Sequence, residues 1–327
     1  MNTRRRMLIA TAAGAILPSA AIAQQPANAL RKIAFLGVGS ASGYVNEIQT
    51  IRDELRKLGY VEGRNITIEF RWDDGDQDKL RQFALELVAL KPDVIITHAT
   101  SGVRNAVEAT HTIPIVLADA PDPVALGVAD SLTHPGRNVT GSTGFQAELS
   151  TKRLELLKEL LPRFKRIGIL VNSAGTSQQM LIDPVEQAAK AMKCQTERFN
   201  VTSIDALPDA IASIAKRRPD GVVITENPLL NSNVRVMAAL MATHKLPAIG
   251  ISSFAEAGGL IGYSANRPLL YGRSAYFVDR IFKGAKPGDL PIERAIKFDL
   301  IVNTKAAHAL HIKIPQTLLQ RADKVIE

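Results

Sequence analysis

The stretch Lys91-Pro92-Asp93-Val94-Ile95-Ile96-Thr97 recurs later in the chain as Arg218-Pro219-Asp220-Gly221-Val222-Val223-Ile224-Thr225. Each copy is followed, after a helical run, by a Thr-His-x-x-Pro motif that leads into a second apolar run, at Thr110–Val116 and Thr243–Ile249. Short apolar runs that alternate with helices are typical of buried parallel strands. The repeated order therefore predicts two α/β lobes of the same topology. The alternative is that Pro-Asp before a strand is common in any α/β protein.

A third pair of similar stretches lies upstream of the two copies. Lys32–Leu36 resembles Arg166–Leu170, so each lobe would begin with an apolar strand. Strands separated by helices imply right-handed crossovers and parallel sheets. We therefore expect an α/β fold of two Rossmann-like lobes with parallel sheets, and a ligand cleft between the lobes.

A long amphipathic pattern predicts how the two lobes share the chain. A length of 327 residues suits two domains of ordinary size. Asn266–Lys283 is predicted to be one helix with an apolar side, which we expect to return to the first lobe. Residues 30–144 and about 266–297 would then form the first lobe, and residues 145–265 with part of 298–327 would form the second.

The N-terminus has the three parts of a secretory signal peptide. Basic residues 4–6 precede an apolar run at Met7–Leu17, and Ala21-Ile22-Ala23 is a small-residue cleavage site. We therefore expect residues 1–23 to be removed and the mature chain to be secreted into the periplasm. The three arginines fit a twin-arginine signal and an ordinary Sec signal equally, so both export routes are retained.

Composition excludes several classes of function. The chain has a formal net charge of +8 but no basic block interleaved with aromatic residues, so no nucleic-acid partner is expected. Cys194 is the only cysteine, which excludes internal disulfides and cysteine-based metal sites. His308 and His311 lack acids at ligand spacing, so no metal is expected. Gly37–Gly43 is one residue too long for the dinucleotide fingerprint. We expect a monomer without a cofactor.

The candidate site follows from the rule that ligands of open parallel sheets bind beyond the carboxyl ends of the strands. Free N–H groups at the helix starts there favour an anion, and hydroxyl groups add hydrogen-bond donors. Each Ser or Thr has the alternative role of capping its helix. The candidate ligand-binding residues are Ser40, Ser42, Tyr44, Thr100, Ser101, Asp119 and Asp122 in the first lobe, and Asn172, Ser173, Glu226, Asn227, Ser252 and Tyr263 in the second.

Three carboxylates among these candidates have two alternative roles. Asp119, Asp122 and Glu226 would serve as counter-ions or hydrogen-bond acceptors for a cationic or polyol ligand. They would also serve as the general acid and base of an exported hydrolytic enzyme. No nucleophile elbow and no zinc-protease motif accompanies them in the sequence, so we assign no catalytic residue and prefer the binding role.

Two motifs of the first lobe resemble those of a known family. Asp122–Gly127 (Asp-Pro-Val-Ala-Leu-Gly) and Pro135–Gly141 (Pro-Gly-Arg-Asn-Val-Thr-Gly) are similar to the signature of ABC transporter substrate-binding proteins of the tryptophan/tyrosine-binding type. Lys152–Pro162 resembles the helix between the lobes of that family, and the likeness covers essentially the whole mature chain. It implies a type I periplasmic binding protein, whose two lobes are joined by three crossovers and close over the ligand like a hinge.

The resemblance also implies partners and a site. The partners would be a small-molecule ligand and an inner-membrane ABC permease with its cytoplasmic ATPase. Carried over by position, the ligand contacts would fall near Ser42, Thr100, Asp122, Asn172, Ser173, Glu226 and Asn227. The leading hypothesis is therefore a non-catalytic solute receptor of an ABC import system. An exported small-molecule sensor and a hydrolytic enzyme are the alternatives.

The chain departs from the aromatic-amino-acid branch of that family in two places. Thr225-Glu226-Asn227 stands where that branch has Thr-Asp-Asn, and Gly250–Ser253 replaces an acidic loop. The missing aspartate would pair with an α-ammonium group. The resemblance therefore leaves the class of the ligand open.

Overall fold

The computed structural model describes residues 30–172 and 178–327. The predicted signal peptide at residues 1–23 and the candidate ligand residue Ser173 lie outside the described residues. Within the described ranges, no helix is both long and apolar enough to cross a bilayer.

Strands and helices alternate along the described chain, as the apolar patterns predict. The first elements are β1 (Arg31–Gly37), a 3₁₀ helix (Ala41–Tyr44), α1 (Val45–Lys57), β2 (Ile66–Trp72), α2 (Gln77–Ala89), β3 (Val94–His98), α3 (Ala99–Ala109), β4 (Ile115–Ala120), β5 (Val139–Thr143) and α4 (Gln146–Leu160). Next come β6 (Arg166–Val171), α5 (Gln178–Ala191), β7 (Gln195–Asn200), α6 (Leu207–Arg217), β8 (Gly221–Ile224), α7 (Pro228–Ser232), α8 (Val234–Thr243), β9 (Ala248–Gly250), α9 (Ser252–Glu256) and β10 (Ile261–Ala265). The last are α10 (Arg267–Gly272), α11 (Ser274–Phe282), a 3₁₀ helix (Pro287–Asp289), β11 (Glu293–Arg294), β12 (Phe298–Asn303), α12 (Thr304–Ala309), α13 (Gln316–Arg321) and β13 (Lys324–Ile326).

The strands form two sheets, and each sheet with the helices packed on it is called a lobe below. The first lobe has the strand order β11-β5-β4-β3-β1-β2, and the second has β13-β12-β10-β9-β8-β6-β7. Of the described strand pairs, β10 with β12 is antiparallel and the others are parallel. The order β5-β4-β3-β1-β2 corresponds to β10-β9-β8-β6-β7. The predicted α/β fold of two lobes with the same topology is therefore confirmed.

The repeated Pro-Asp motif performs the same structural role in both lobes. In the first lobe the carboxylate of Asp93 accepts a hydrogen bond from the Lys32 N–H at 2.8 Å, which joins the start of β3 to β1. In the second lobe Asp220 accepts hydrogen bonds from the N–H groups of Lys165 and Arg166, each at 2.8 Å, which joins β8 to β6. The motif therefore joins the two central strands of each sheet and sets their register.

Apolar side chains cover both faces of each sheet. Along β1, Ile33 and Phe35 belong to one core cluster, and Ala34 and Leu36 belong to another on the opposite face. Helices therefore pack on both sides of the strands, and that is why these strands are apolar without alternation.

The helix predicted over Asn266–Lys283 is two helices, α10 and α11, with Arg273 between them. Gly272 is the last residue of α10 and packs against α1. A Cβ atom at this position would lie only 2.8 Å from Cγ2 of Thr50, so the contact favours a glycine. Both helices pack on the first sheet, because Tyr271 and Phe277 join the same core cluster as Phe35. The chain thus returns from the second lobe to the first.

The described chain passes between the lobes three times. It leaves the first sheet after β5, returns to it after β10, and leaves it again between β11 and β12. Phe145, in the first crossover, has a left-handed φ of 51° at the start of α4. Helix α4 then packs into the second lobe, where Leu154 and Leu157 share a core cluster with Ile167. The crossovers lie next to one another, because β5 pairs with β11 and β10 pairs with β12.

Candidate functional site

A cavity of about 520 Å³ lies between the two lobes. Its walls are the carboxyl ends of β1, β3 and β4 in the first lobe and of β6 and β8 in the second, together with the starts of the helices that follow. This volume is within the range of small-molecule sites. The described residues of both lobes thus line one shared cleft, at the strand ends where the strand-end rule predicts it.

The cavity brings together eight of the predicted site residues. These are Tyr44, Thr100, Ser101, Asp119, Asp122, Asn172, Glu226 and Asn227. Sequence reasoning missed several other residues of the cavity wall, among them Val38, Gln77, His98, Arg104, Asn105, Gln146, Arg267 and Tyr271.

Four predicted residues do not line the cavity. The Ser40 and Ser42 hydroxyls lie 3.0 Å apart in an exposed turn. Ser252 shares a 2.8 Å hydrogen bond with Ser264 inside the second lobe, and Tyr263 stacks on Phe298 with ring centroids 6.1 Å apart. Ser252 follows β9, and the wall of the second lobe is built instead from the ends of β6 and β8.

Asp119 is a buried carboxylate at the end of β4. Its Oδ1 atom accepts a hydrogen bond from the Gly144 N–H at 3.1 Å, and the Gln146 side chain also hydrogen-bonds to it. Burial raises the pKa of Asp119 to about 7, and the negative charge of Glu226 contributes to the rise. Asp119 is therefore a carboxyl group whose charge is costly in the described structure.

Glu226 faces the cavity from the end of β8 and is paired with a buried arginine. Its Oε2 atom lies 2.8 Å from Nη2 of Arg153, whose side chain is 0% exposed. The Arg153 Nε donates a hydrogen bond to the Tyr263 carbonyl at 2.7 Å. Helix α4 thus supplies the cation for a carboxylate that strand β8 carries into the cleft.

Arg267 supplies a buried cation to the first-lobe wall. Its guanidinium carbon lies 4.7 Å from the centroid of the Tyr44 ring and 5.7 Å from that of Tyr271. It forms an ion pair of 3.3 Å with the buried Glu47. Burial by itself lowers the pKa of Arg267, but the Glu47 carboxylate helps to keep it above the ordinary value, so this residue is charged. The only sequence signal was the Asn266-Arg267-Pro268 helix start, which indicates a cap and not a ligand contact.

His98 forms part of the same wall as a neutral imidazole. Its Nε2 atom accepts a hydrogen bond from the Val38 N–H at 2.9 Å, which places the ring proton on Nδ1. Burial lowers its pKa to about 3, and the charge of Arg267 adds to this effect. The Tyr44 ring lies 4.5 Å from the His98 ring. This wall is therefore aromatic, and His98 carries no charge at neutral pH.

Asn172 and Asn227 join two strand ends of the second lobe. The Asn172 amide donates to Oδ1 of Asn227 at 3.2 Å, and the same oxygen accepts from the Leu229 N–H at 2.9 Å as the cap of α7. In the first lobe, Asp122 accepts from the N–H groups of Val124 and Ala125. These capping hydrogen bonds position the polar side chains of Asn172, Asn227 and Asp122 on the two walls of the cavity.

The lobes touch beside the cavity, where the 3₁₀ helix Ala41–Tyr44 meets α7. A Cβ atom at Gly43 would lie 2.8 Å from the Cα of Ser232, and one at Gly39 would lie 3.4 Å from the Pro228 Cβ. Gly43 therefore permits a backbone approach that a larger residue would prevent, whereas the contact at Gly39 is less tight. The structure has the lobes closed at this edge.

Comparisons with known proteins agree with this architecture. A curated relative, the "Tyrosine-binding protein" of Clostridioides difficile (strain R20291), is 26% identical over 260 residues, which cover 79% of this chain and 74% of that protein. A conserved domain protein from Vibrio cholerae O1 biovar El Tor N16961 superposes with a TM-score of 0.85, at 27% identity over 90% of this chain and 99% of that one. An ABC domain from Streptococcus pneumoniae in complex with L-Trp gives 0.83, at 26% identity over 91% and 100%.

The family model for "ABC transporter substrate binding protein" matches residues 32–326. That range includes both sheets, all three crossovers and every described residue of the cavity wall. The chain belongs to the family of ABC transporter substrate-binding proteins.

Proposed function

We propose that this chain is the periplasmic, non-catalytic receptor of an ABC import system, and that it binds a small organic molecule between its lobes by hinge closure. Residues 1–23 would direct its export, and the monomeric mature chain would deliver its solute to an inner-membrane permease driven by a cytoplasmic ATPase. The family match supports the role in transport. The relatives named for tyrosine and crystallised with L-Trp support a solute of amino-acid size.

The observation that carries the proposal is the cavity that described residues of both lobes share. Asp119 and Glu226 face it from strand ends of different sheets, so one small molecule can contact both lobes at once. A ligand that bridges two lobes binds the closed form more tightly and shifts the population towards it. Closure of this kind is the motion expected of lobes joined by three adjacent crossovers.

The proposed ligand contacts are the predicted residues that line the cavity, supplemented by three that sequence reasoning missed. They are Tyr44, Thr100, Ser101, Asp119, Asp122, Asn172, Glu226 and Asn227, with Gln77, Arg267 and Tyr271 added. Ser40, Ser42, Ser252 and Tyr263 are left out, because none of them lines the cavity.

The test is ligand-dependent stabilisation of the purified mature chain. A panel of amino acids, amines, aromatic acids, sugars and nucleosides would be screened by thermal unfolding and the hits measured by calorimetry. A cognate solute at about 100 times its dissociation constant should add about 2.7 kcal/mol to the free energy of unfolding. The solute should be recovered unchanged after prolonged incubation. Its conversion to a product would contradict the non-catalytic role and favour an exported enzyme.

A further inference from the structure

We propose that the solute is a small organic cation, and that its protonated nitrogen is held by Asp119 of the first lobe and faces Glu226 of the second. This inference rests on the proposed function and names the charge class of the solute for the same cavity. An α-amino acid carries both charges and is neutral overall. The inference therefore predicts a ligand with a net positive charge and not a zwitterionic amino acid.

The charges of the cavity wall are the first argument. Among the described residues that line the cavity, five carry a carboxyl group and two carry a guanidinium group. Two of the five, Glu148 and Glu226, are paired with Arg294 and Arg153, which are not part of the lining. The lining therefore has more carboxyl than guanidinium groups, whereas the whole chain has a formal net charge of +8. A cleft lined by one sign of charge attracts ligands of the other sign and raises their local concentration.

The second argument is that Asp119 forms no ion pair with any described residue, although the charge of Arg267 acts on it from further away. Glu226 is paired with Arg153, and the cavity arginine Arg267 is paired with Glu47. Asp119 is only 5% exposed, and within the described chain its hydrogen-bond donors are neutral groups such as the Gly144 N–H. Burial raises the pKa of Asp119, and the charge of Arg267 opposes this rise only in part. A buried charge requires a partner, and a ligand cation supplies one.

The third argument concerns what else the solute must carry. The Nε atom of Arg267 is buried, has no hydrogen-bond partner in the described structure, and belongs to a residue of the cavity wall that is 6% exposed. It requires an acceptor atom. Because the charge of Arg267 is already offset by Glu47, a neutral hydroxyl or carbonyl oxygen is sufficient. A ligand carboxylate would instead be repelled by Asp119 and Glu226.

Amino alcohols test this inference, because each differs from its parent amino acid only in having a hydroxymethyl group in place of the carboxylate. L-Tyrosinol, L-tryptophanol and L-leucinol would be mixed in equimolar amounts with L-tyrosine, L-tryptophan and L-leucine. The corresponding propionic acids and several neutral sugars would complete the mixture. Equilibrium dialysis against the mature protein at pH 7.5, read by mass spectrometry, would give the enrichment of each compound. The same measurement on Asp119→Asn and on Asp209→Asn, an exposed aspartate of α6, would give the dependence on Asp119.

We expect the wild-type protein to enrich an amino alcohol at least about tenfold over its parent amino acid. Asp119→Asn should reduce that enrichment about tenfold or more, since a hydrogen bond between charged groups is lost, and Asp209→Asn should not. Equal or greater enrichment of amino acids, acids or sugars by the wild-type protein would overturn the inference and leave solute binding intact. That comparison needs no variant, so it decides the matter even if Asp119→Asn does not fold. Enrichment of no compound would overturn the inference, and only together with no stabilisation in the wider thermal screen would it contradict the proposed function itself.

Discussion

Arg153 and Glu226 show how this chain carries charge into a buried site. Both side chains are almost fully removed from water, and the ion pair between them measures 2.8 Å. Each charge alone would carry a desolvation cost of several kcal/mol, which their mutual attraction and the hydrogen bond to the Tyr263 carbonyl offset. The pair therefore positions Glu226 at the cavity, and removal of one partner is expected to be costly.

Replacement of Arg153 by methionine should destabilise the protein strongly. Glu226 would remain buried without its cation, and the loss of one partner of a buried pair costs about 3–5 kcal/mol. Chemical denaturation of the two proteins at pH 7.5 would measure the difference in the free energy of unfolding. Lys152→Met on the same helix is the matched control, because its pair with Glu155 is exposed and should contribute less than about 1 kcal/mol. Equal effects of the two substitutions would contradict this account of Arg153.

Asp119 should make stability depend on pH. Its folded-state pKa of about 7 exceeds the unfolded value of about 3.9, so the folded state holds the proton more tightly. The carboxyl group therefore reduces the free energy of unfolding progressively as pH rises from about 4 to about 7, by up to about 4 kcal/mol in total. Asp119→Asn removes this dependence. Denaturation of both proteins at pH 4.5 and pH 8 should show the variant gaining stability relative to the wild type at the higher pH. A difference that does not change with pH would contradict the raised pKa.

At the scale of elements, the repeated motifs reveal which parts of the sequence are scaffold. Asp93 and Asp220 bind the N–H groups of a neighbouring strand, and the residues after Pro114 and Pro247 form the next strand in each sheet. The equivalent strand ends then diverge: Asp119 near the end of β4 faces the cavity, and Ser252 after β9 bonds to Ser264. The topology of each sheet could be predicted from local sequence patterns. Which strand ends line the cavity could not, because this depends on how the two sheets face each other.

The contact of the 3₁₀ helix Ala41–Tyr44 with α7 should control closure. Gly43→Ala would place a Cβ atom 2.8 Å from Cα of Ser232, so the lobes would have to separate at that edge. The lobes themselves should fold as before. We expect a larger radius of gyration by small-angle X-ray scattering and, if the closed form falls to a tenth of its population, about tenfold weaker solute binding.

The control for this contact is Ala41→Ser, an exposed position in the same 3₁₀ helix. It should leave both the radius of gyration and the affinity unchanged. Closure of the Gly43→Ala protein to the wild-type dimensions would mean that α7 yields, and would contradict the role assigned to this glycine.

At the scale of the whole molecule, much of the fold was predictable and part of the site was not. Order and type of the strands followed from apolar runs and helix breakers, and the strand-end rule located Asp119, Glu226 and Asn227. Arg267 was missed because it comes from α10, which returns to the first lobe only after the second is complete. The sequence around such a side chain contains no local pattern that predicts its place in the cavity. Its neighbours in the cleft are set by tertiary packing alone.

The most direct test of the account is a crystal structure of the mature protein grown with whichever solute the dialysis experiment enriches most. We predict density for one solute molecule between the lobes, with its nitrogen within hydrogen-bond distance of the Asp119 carboxylate and its body against the wall formed by Tyr44, His98 and Tyr271. Density for the solute on the outside of either lobe, with the cleft filled by water alone, would contradict the central claim that this cleft is the binding site.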